Sequence, residues 1–145
     1  MTNAEMVNHP SHYTKERIPV TIYLEPIDLC ELYDFNVGNA MKYLLRAKNK
    51  GNYVQDLMKA QWYLLREKEL LVEQLRDGDE NGPIYTPSIS AIFESYRKHN
   101  HFIKTLISDS GYYSTVTLID TADLIEETIH ENERADDTRL FHEGD

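Results

Sequence analysis

Apolar positions recur at helical spacing over most of the chain. Val37, Ala40, Met41, Leu44 and Leu45 fall at i, i+3, i+4, i+7 and i+8, one buried stripe of an amphipathic helix. Asn39, Lys42 and Arg46 lie opposite that stripe on a helical wheel, and Gly51-Asn52 supplies a stop and turn. A long helix is predicted next, from about Tyr53 to Arg76. Leu57, Ala60, Leu64, Leu65, Leu71, Val72 and Leu75 form its apolar face, while Asp56, Lys59 and Tyr63 share another. Earlier, Ile27, Leu29, Leu32 and Tyr33 predict a helix over Glu25–Phe35, with Pro26 suited to its first turn.

The second half is less regular. Ile89, Ile92, Phe93, Tyr96, Ile103, Leu106 and Ile107 predict one helix running to about Ser108. Tyr112–Ile119 is β-branched and aromatic and therefore ambiguous, but Leu118, Ala122, Ile125 and Ile129 resume helical spacing. Pro10 and Pro19 make the N-terminal segment irregular. The expected fold is all-α, a compact bundle of about five helices. A chain of 145 residues suits one domain. Within 1–145 the expected parts are a helical core over 8–76, a linker over 77–87, a C-terminal helical pair over 88–134 and an acidic tail over 135–145.

Charge changes this picture. The formal net charge is −10. From Asp120 onward ten acids face only Arg134 and Arg139, so −8 of the total lies there. The preceding residues are close to neutral, yet between Phe35 and Gln55 there is no acid at all, while Lys42, Arg46, Lys48 and Lys50 fall inside that window. Binding to duplex nucleic acid is not expected of so acidic a chain. A small anionic ligand at one basic helix face is compatible with it. One cysteine, Cys30, excludes an internal disulfide framework. No apolar run reaches the ~18–20 residues of a membrane span, and MTNAEMVNHPSHY lacks a signal-peptide core. The expectation is a cytoplasmic protein with no membrane partner.

Four ordered blocks carry a resemblance. They are Asn8-His9-Pro10-Ser11-His12-Tyr13, Glu25-Pro26-Ile27-Asp28, Gly38 to Ala47, and Asp56 to Leu64. Together they resemble a family of short phage-encoded proteins, long classed as a domain of unknown function and since labelled phage nucleotide kinases. The resemblance covers about residues 8–66. It implies a location in the host cell cytoplasm and phosphoryl transfer from a nucleoside triphosphate donor to a nucleoside monophosphate.

Phosphoryl transfer needs cations that hold phosphates and spread transition-state charge. Lys42 and Arg46, one turn apart, suit that role, Arg as a bidentate grip and Lys as a point charge; the plain alternative is a solvated helix face. His9 and His12 stand in a Pro-containing loop, fit for phosphate binding or acid–base work, or for surface decoration. Those four are the candidate catalytic residues. Asn8, Tyr13, Asn39, Tyr43, Lys59, Trp62 and Tyr63 are the candidate nucleotide contacts. Four of them have a structural alternative: Asn8 and Tyr13 pin the loop, Trp62 packs in the core, and Lys59 pairs with Asp56. Glu25, Asp28 and Asp56 are candidate Mg²⁺ ligands, or equally ion-pair partners and helix caps.

No G-x-x-x-x-G-K-[ST] occurs, since Lys104-Thr105 follows Phe102-Ile103 without a glycine loop. Any phosphoryl transfer would therefore proceed without a P-loop. Two other readings stand beside it. An all-α Mg²⁺-dependent nucleotide pyrophosphatase would use acids such as Asp120, Asp123 and Glu127, with Glu69 and Glu73, against the alternative of a solvated acidic face. An acidic phage protein would instead bind and inhibit a host protein through its C-terminal third. Ten tyrosines, four phenylalanines and one tryptophan would also suit a homo-oligomer interface.

Overall fold

The computed structural model describes residues 21–49, 51–73 and 81–143. These residues form six α-helices, which we number α1 (Pro26–Cys30), α2 (Phe35–Arg46), α3 (Tyr53–Glu73), α4 (Ala91–His99), α5 (His101–Leu106) and α6 (Thr115–Glu143), with a 3₁₀ turn over Ala47–Asn49. No β-strand is present among them, only an isolated bridge between Asn81 and Tyr113. The all-α expectation holds.

Local chemistry explains where each helix starts. Glu25 N–H donates to Asp28 Oδ2 at 2.7 Å, closing the first turn of α1 behind Pro26. Asp34 Oδ1 accepts from Val37 N–H at 3.2 Å and starts α2, as side-chain caps do. The helix expected over Glu25–Phe35 is therefore only five residues long. Leu32 and Tyr33 are buried from the intervening turn instead. Gly38 lets α1 and α2 close up, since a Cβ there would meet Cys30 O at 2.8 Å.

The helix expected to reach Ser108 is two helices. Asn100 is extended (φ −142, ψ 115) between α4 and α5. Its Oδ1 accepts from Ile103 N–H at 3.1 Å, and its Nδ2 donates to Leu44 O at 3.3 Å. That side chain does more for the backbone bent than straight, and periodicity does not report the break. In the ambiguous stretch, Tyr113 pairs with Asn81, then Ser114 and Thr117 exchange backbone-to-hydroxyl bonds at 2.9 and 3.2 Å to start α6.

Helices α2 and α3 form an antiparallel hairpin closed by Gly51 at φ 72; α6 packs antiparallel along the other side of α3. One core runs through the whole body, including Leu29, Met41, Leu57, Leu64, Ile103, Leu118 and Ile125. Residues 81–87 of the expected linker are stitched to it: Ile84 N–H donates to Leu32 O at 2.6 Å. The buried Tyr33 hydroxyl donates to Gly111 O at 2.6 Å. Gly111 has φ +85, and a Cβ there would meet the Phe93 ring at 2.6 Å.

Helix α3 departs from its expected pattern. Leu65 and Val72 are exposed, while Glu67 is buried and accepts from the Tyr113 hydroxyl at 3.4 Å. Sandwiching between α2 and α6 rotates the buried arc toward positions 56, 60, 64, 67 and 71. None of the described helices is long and apolar enough to cross a membrane.

Candidate functional site

The α2–α3 hairpin brings most of the sequence candidates to one face. Tyr43 is its centre. Lys42 Nζ lies 4.5 Å from the Tyr43 ring centroid, Arg46 Cζ 4.8 Å and Lys59 Nζ 5.4 Å. Three cations on one ring are held by cation–π attraction, against their mutual repulsion. Tyr63 from α3 lies nearly parallel to Tyr43 at 6.2 Å, and its ring is met edge-on by Phe35 at 5.8 Å and Trp62 at 5.1 Å. Phe35 is 71% and Trp62 61% exposed. Trp62 thus stands outside the core, because its place on α3 points away from both packed neighbours.

Arg46 also faces Asp56, with Nη2 to Oδ1 at 3.6 Å. Asp56 is 2% exposed. Neither Asp56 Oδ2 nor Arg46 Nε has a hydrogen-bond partner among the described residues, and both atoms are buried. The carboxylate sits in the first turn of α3, where the helix N-terminus favours negative charge. The expected Asp56–Lys59 pair is not what forms; Asp56 turns to Arg46 across the hairpin and Lys59 to the ring. Asn39 is a local spacer: its Nδ2 donates to Phe35 O at 2.7 Å and its Oδ1 accepts from Lys42 Nζ at 3.2 Å.

Beside this face, between α1 and α2, lies a cleft of about 410 Å³. Ile27, Cys30, Tyr33 and Phe35 give it apolar walls, with Asn39 and Lys42 at the end nearest Tyr43. Burial pushes the Cys30 thiol up to about 11, partly offset by Lys42, so it is a poor nucleophile. Burial also raises the Tyr33 and Tyr53 hydroxyls. A cavity of about 620 Å³ between Pro83, Glu94, Asp109 and Tyr112 is bigger. Its charged walls are acidic, so it does not suit an anion.

The proposed metal ligands do not assemble. Asp28 accepts from the Glu25 backbone at the start of α1, and Asp56 is committed to Arg46 at the start of α3. No three His, Cys, Asp or Glu side chains converge anywhere among the described residues. That applies equally to Asp120, Asp123 and Glu127, which point outward along α6. Asn8, His9, His12 and Tyr13 lie outside the described residues.

Residues 7–65 match the family model described as a protein of unknown function, DUF3310. No curated protein and no solved structure matches the chain. The match overlaps the four sequence blocks and ends two residues after Tyr63. It corrects the family expectation, because the matched family carries no assigned function and nothing in it indicates nucleotide kinases. What reasoning from spacing missed was Glu67 and Asp56 as buried acids. A carboxylate at a core position is a signal only once the partner helix is known.

Proposed function

We propose that the α2–α3 face binds a phosphorylated nucleotide. The observation carrying this reading is the convergence of Lys42, Arg46 and Lys59 on Tyr43, beside exposed aromatic edges, in a protein of net charge −10. Phosphate oxygens would meet Lys42, Arg46 and Lys59, whose charges repel one another until an anion neutralises them. A base has two apolar surfaces within reach. One is the exposed Phe35 and Trp62 edge around Tyr63; the other is the 410 Å³ cleft, within the ~300–1,000 Å³ range of small-ligand pockets. Phosphoryl transfer from a nucleoside triphosphate to a nucleoside monophosphate is the chemistry this binding would serve. It would rest on positioning and on the three cations.

Trp62 is the single tryptophan, so its fluorescence reports the site directly. Titration with dGMP, dTMP and ATP is expected to quench it saturably. Lys42→Ala, Arg46→Ala or Lys59→Ala each removes one charged contact, worth about 1.5–3 kcal/mol or roughly tenfold to a hundredfold in affinity. Incubating monophosphate with triphosphate and separating products by ion exchange tests transfer: diphosphates are expected. Absence of any quench, or a quench whose affinity is unchanged in all three variants, rejects the binding site. Binding without diphosphate, over a full donor panel, rejects transfer alone.

A further inference from the structure

Lys48 follows Arg46 by two residues, and residues so spaced face different sides of a helix. It does not join the Tyr43 cluster. Instead it lines a separate cleft of about 210 Å³, closed by the start of α3 and by the bend between α4 and α5. Tyr53, His99 and His101 also line it, over apolar walls that include Leu44 and Phe102. Among the described residues, every ionisable lining residue is a cation, a titratable imidazole or a phenol, and no carboxylate lines the cleft, although the chain holds 25 acids.

Asn100, which also lines the cleft, spends both side-chain ends on Ile103 N–H and Leu44 O, fixing the bend that brings His99 and His101 to one place. His99 Nδ1 lies 2.8 Å from Ser95 O. A carbonyl only accepts, so Nδ1 carries the proton, and Nε2 donates only when the ring is an imidazolium. Lys48 forms no ion pair among the described residues. The volume is below the ~300–1,000 Å³ of drug-sized ligand pockets and suits one tetrahedral group.

We propose that this cleft is a second anion site, taking a single tetrahedral oxyanion such as sulfate, phosphate or a terminal phosphoryl group. Lys48 supplies fixed charge, His101 an N–H donor, and His99, whose Nδ1–H is spent on Ser95 O, a donor through Nε2 in its imidazolium form. The facing groups from each packed element are Lys48 after α2, Tyr53 on α3, His99 on α4 and His101 on α5. The site does not depend on nucleotide binding at Tyr43.

Sulfate is the probe, because it stays a dianion across the range in which histidines change charge. The full-length protein, labelled with ¹⁵N-histidine, is titrated with sodium sulfate at constant ionic strength, with sodium chloride as the control. His99 and His101 signals, assigned with His99→Gln and His101→Gln, are expected to shift saturably with sulfate and not with chloride. Lys48→Gln should weaken binding about tenfold. Non-saturating shifts, an equal response to chloride, or Lys48→Gln without effect overturns the site. Saturable binding of unchanged affinity in His99→Gln overturns the role given to His99.

Discussion

Replacing Arg46 by methionine keeps an aliphatic stem beside Tyr43 and removes the one ion-pair partner that Asp56 has among the described residues. Stranding one member of a buried ion pair costs ~3–5 kcal/mol in general. Here the contact is 3.6 Å long and the Arg46 side chain is 36% exposed, so water already screens part of it. The N-terminus of α3 would continue to support the carboxylate, by about 0.3–1 kcal/mol. We therefore expect Arg46→Met to cost about 2 kcal/mol. Adding Asp56→Asn removes the stranded charge, so the double variant should be no less stable than Arg46→Met and about 1 kcal/mol better than additivity. Urea unfolding followed by circular dichroism reads this directly. With a slope of about 1–3 kcal/mol per molar urea, the Arg46→Met midpoint falls by about 1 M. The reasoning is refuted if the two single losses simply add within about 0.5 kcal/mol, or if Arg46→Met is silent.

Other expectations follow from the same contacts. Tyr33→Phe leaves the Gly111 carbonyl without its buried hydroxyl donor and should cost about 1–3 kcal/mol in the same urea assay. Gly38→Ala gains about 1 kcal/mol of helix propensity. It also drives a methyl to 2.8 Å from Cys30 O, a backbone atom, and overpacking of about 1–3 kcal/mol should win; a raised melting temperature would contradict this. Cys30 keeps its proton in the fold up to about 11, whereas the unfolded thiol ionises near 8.5. The unfolded chain therefore binds fewer protons between those values, and stability should fall as pH rises through that window. Cys30→Ala should flatten that slope, and iodoacetamide at about pH 8 should modify native Cys30 roughly a hundredfold slower than a free thiol.

How much of this was legible follows from the range of each cause. The helical stripe Val37–Leu45 and the stop at Gly51 are local, because they arise from 3.6-residue periodicity and a glycine turn, and they appear where the sequence puts them. The Asp34 cap was also available from residue type, yet the pattern through Tyr33 masked it. The break at Asn100 was not legible, since one of the two side-chain hydrogen bonds that fix it goes to Leu44 O, fifty-six residues away. Likewise the sequence named Lys42, Tyr43, Arg46, Lys59 and Tyr63 without their arrangement. The rotation of α3 against α2 gathered three cations on Tyr43, turned Asp56 to Arg46 and left Trp62 in solvent. By itself, then, the sequence determined the helical class, the α2–α3 hairpin and the residue types available for an anion. Tertiary packing alone decided which acids are buried, which aromatics are exposed and that Lys48, His99 and His101 line one cleft. Contacts between distant segments depend on helix rotation, which side-chain packing sets and local spacing does not encode.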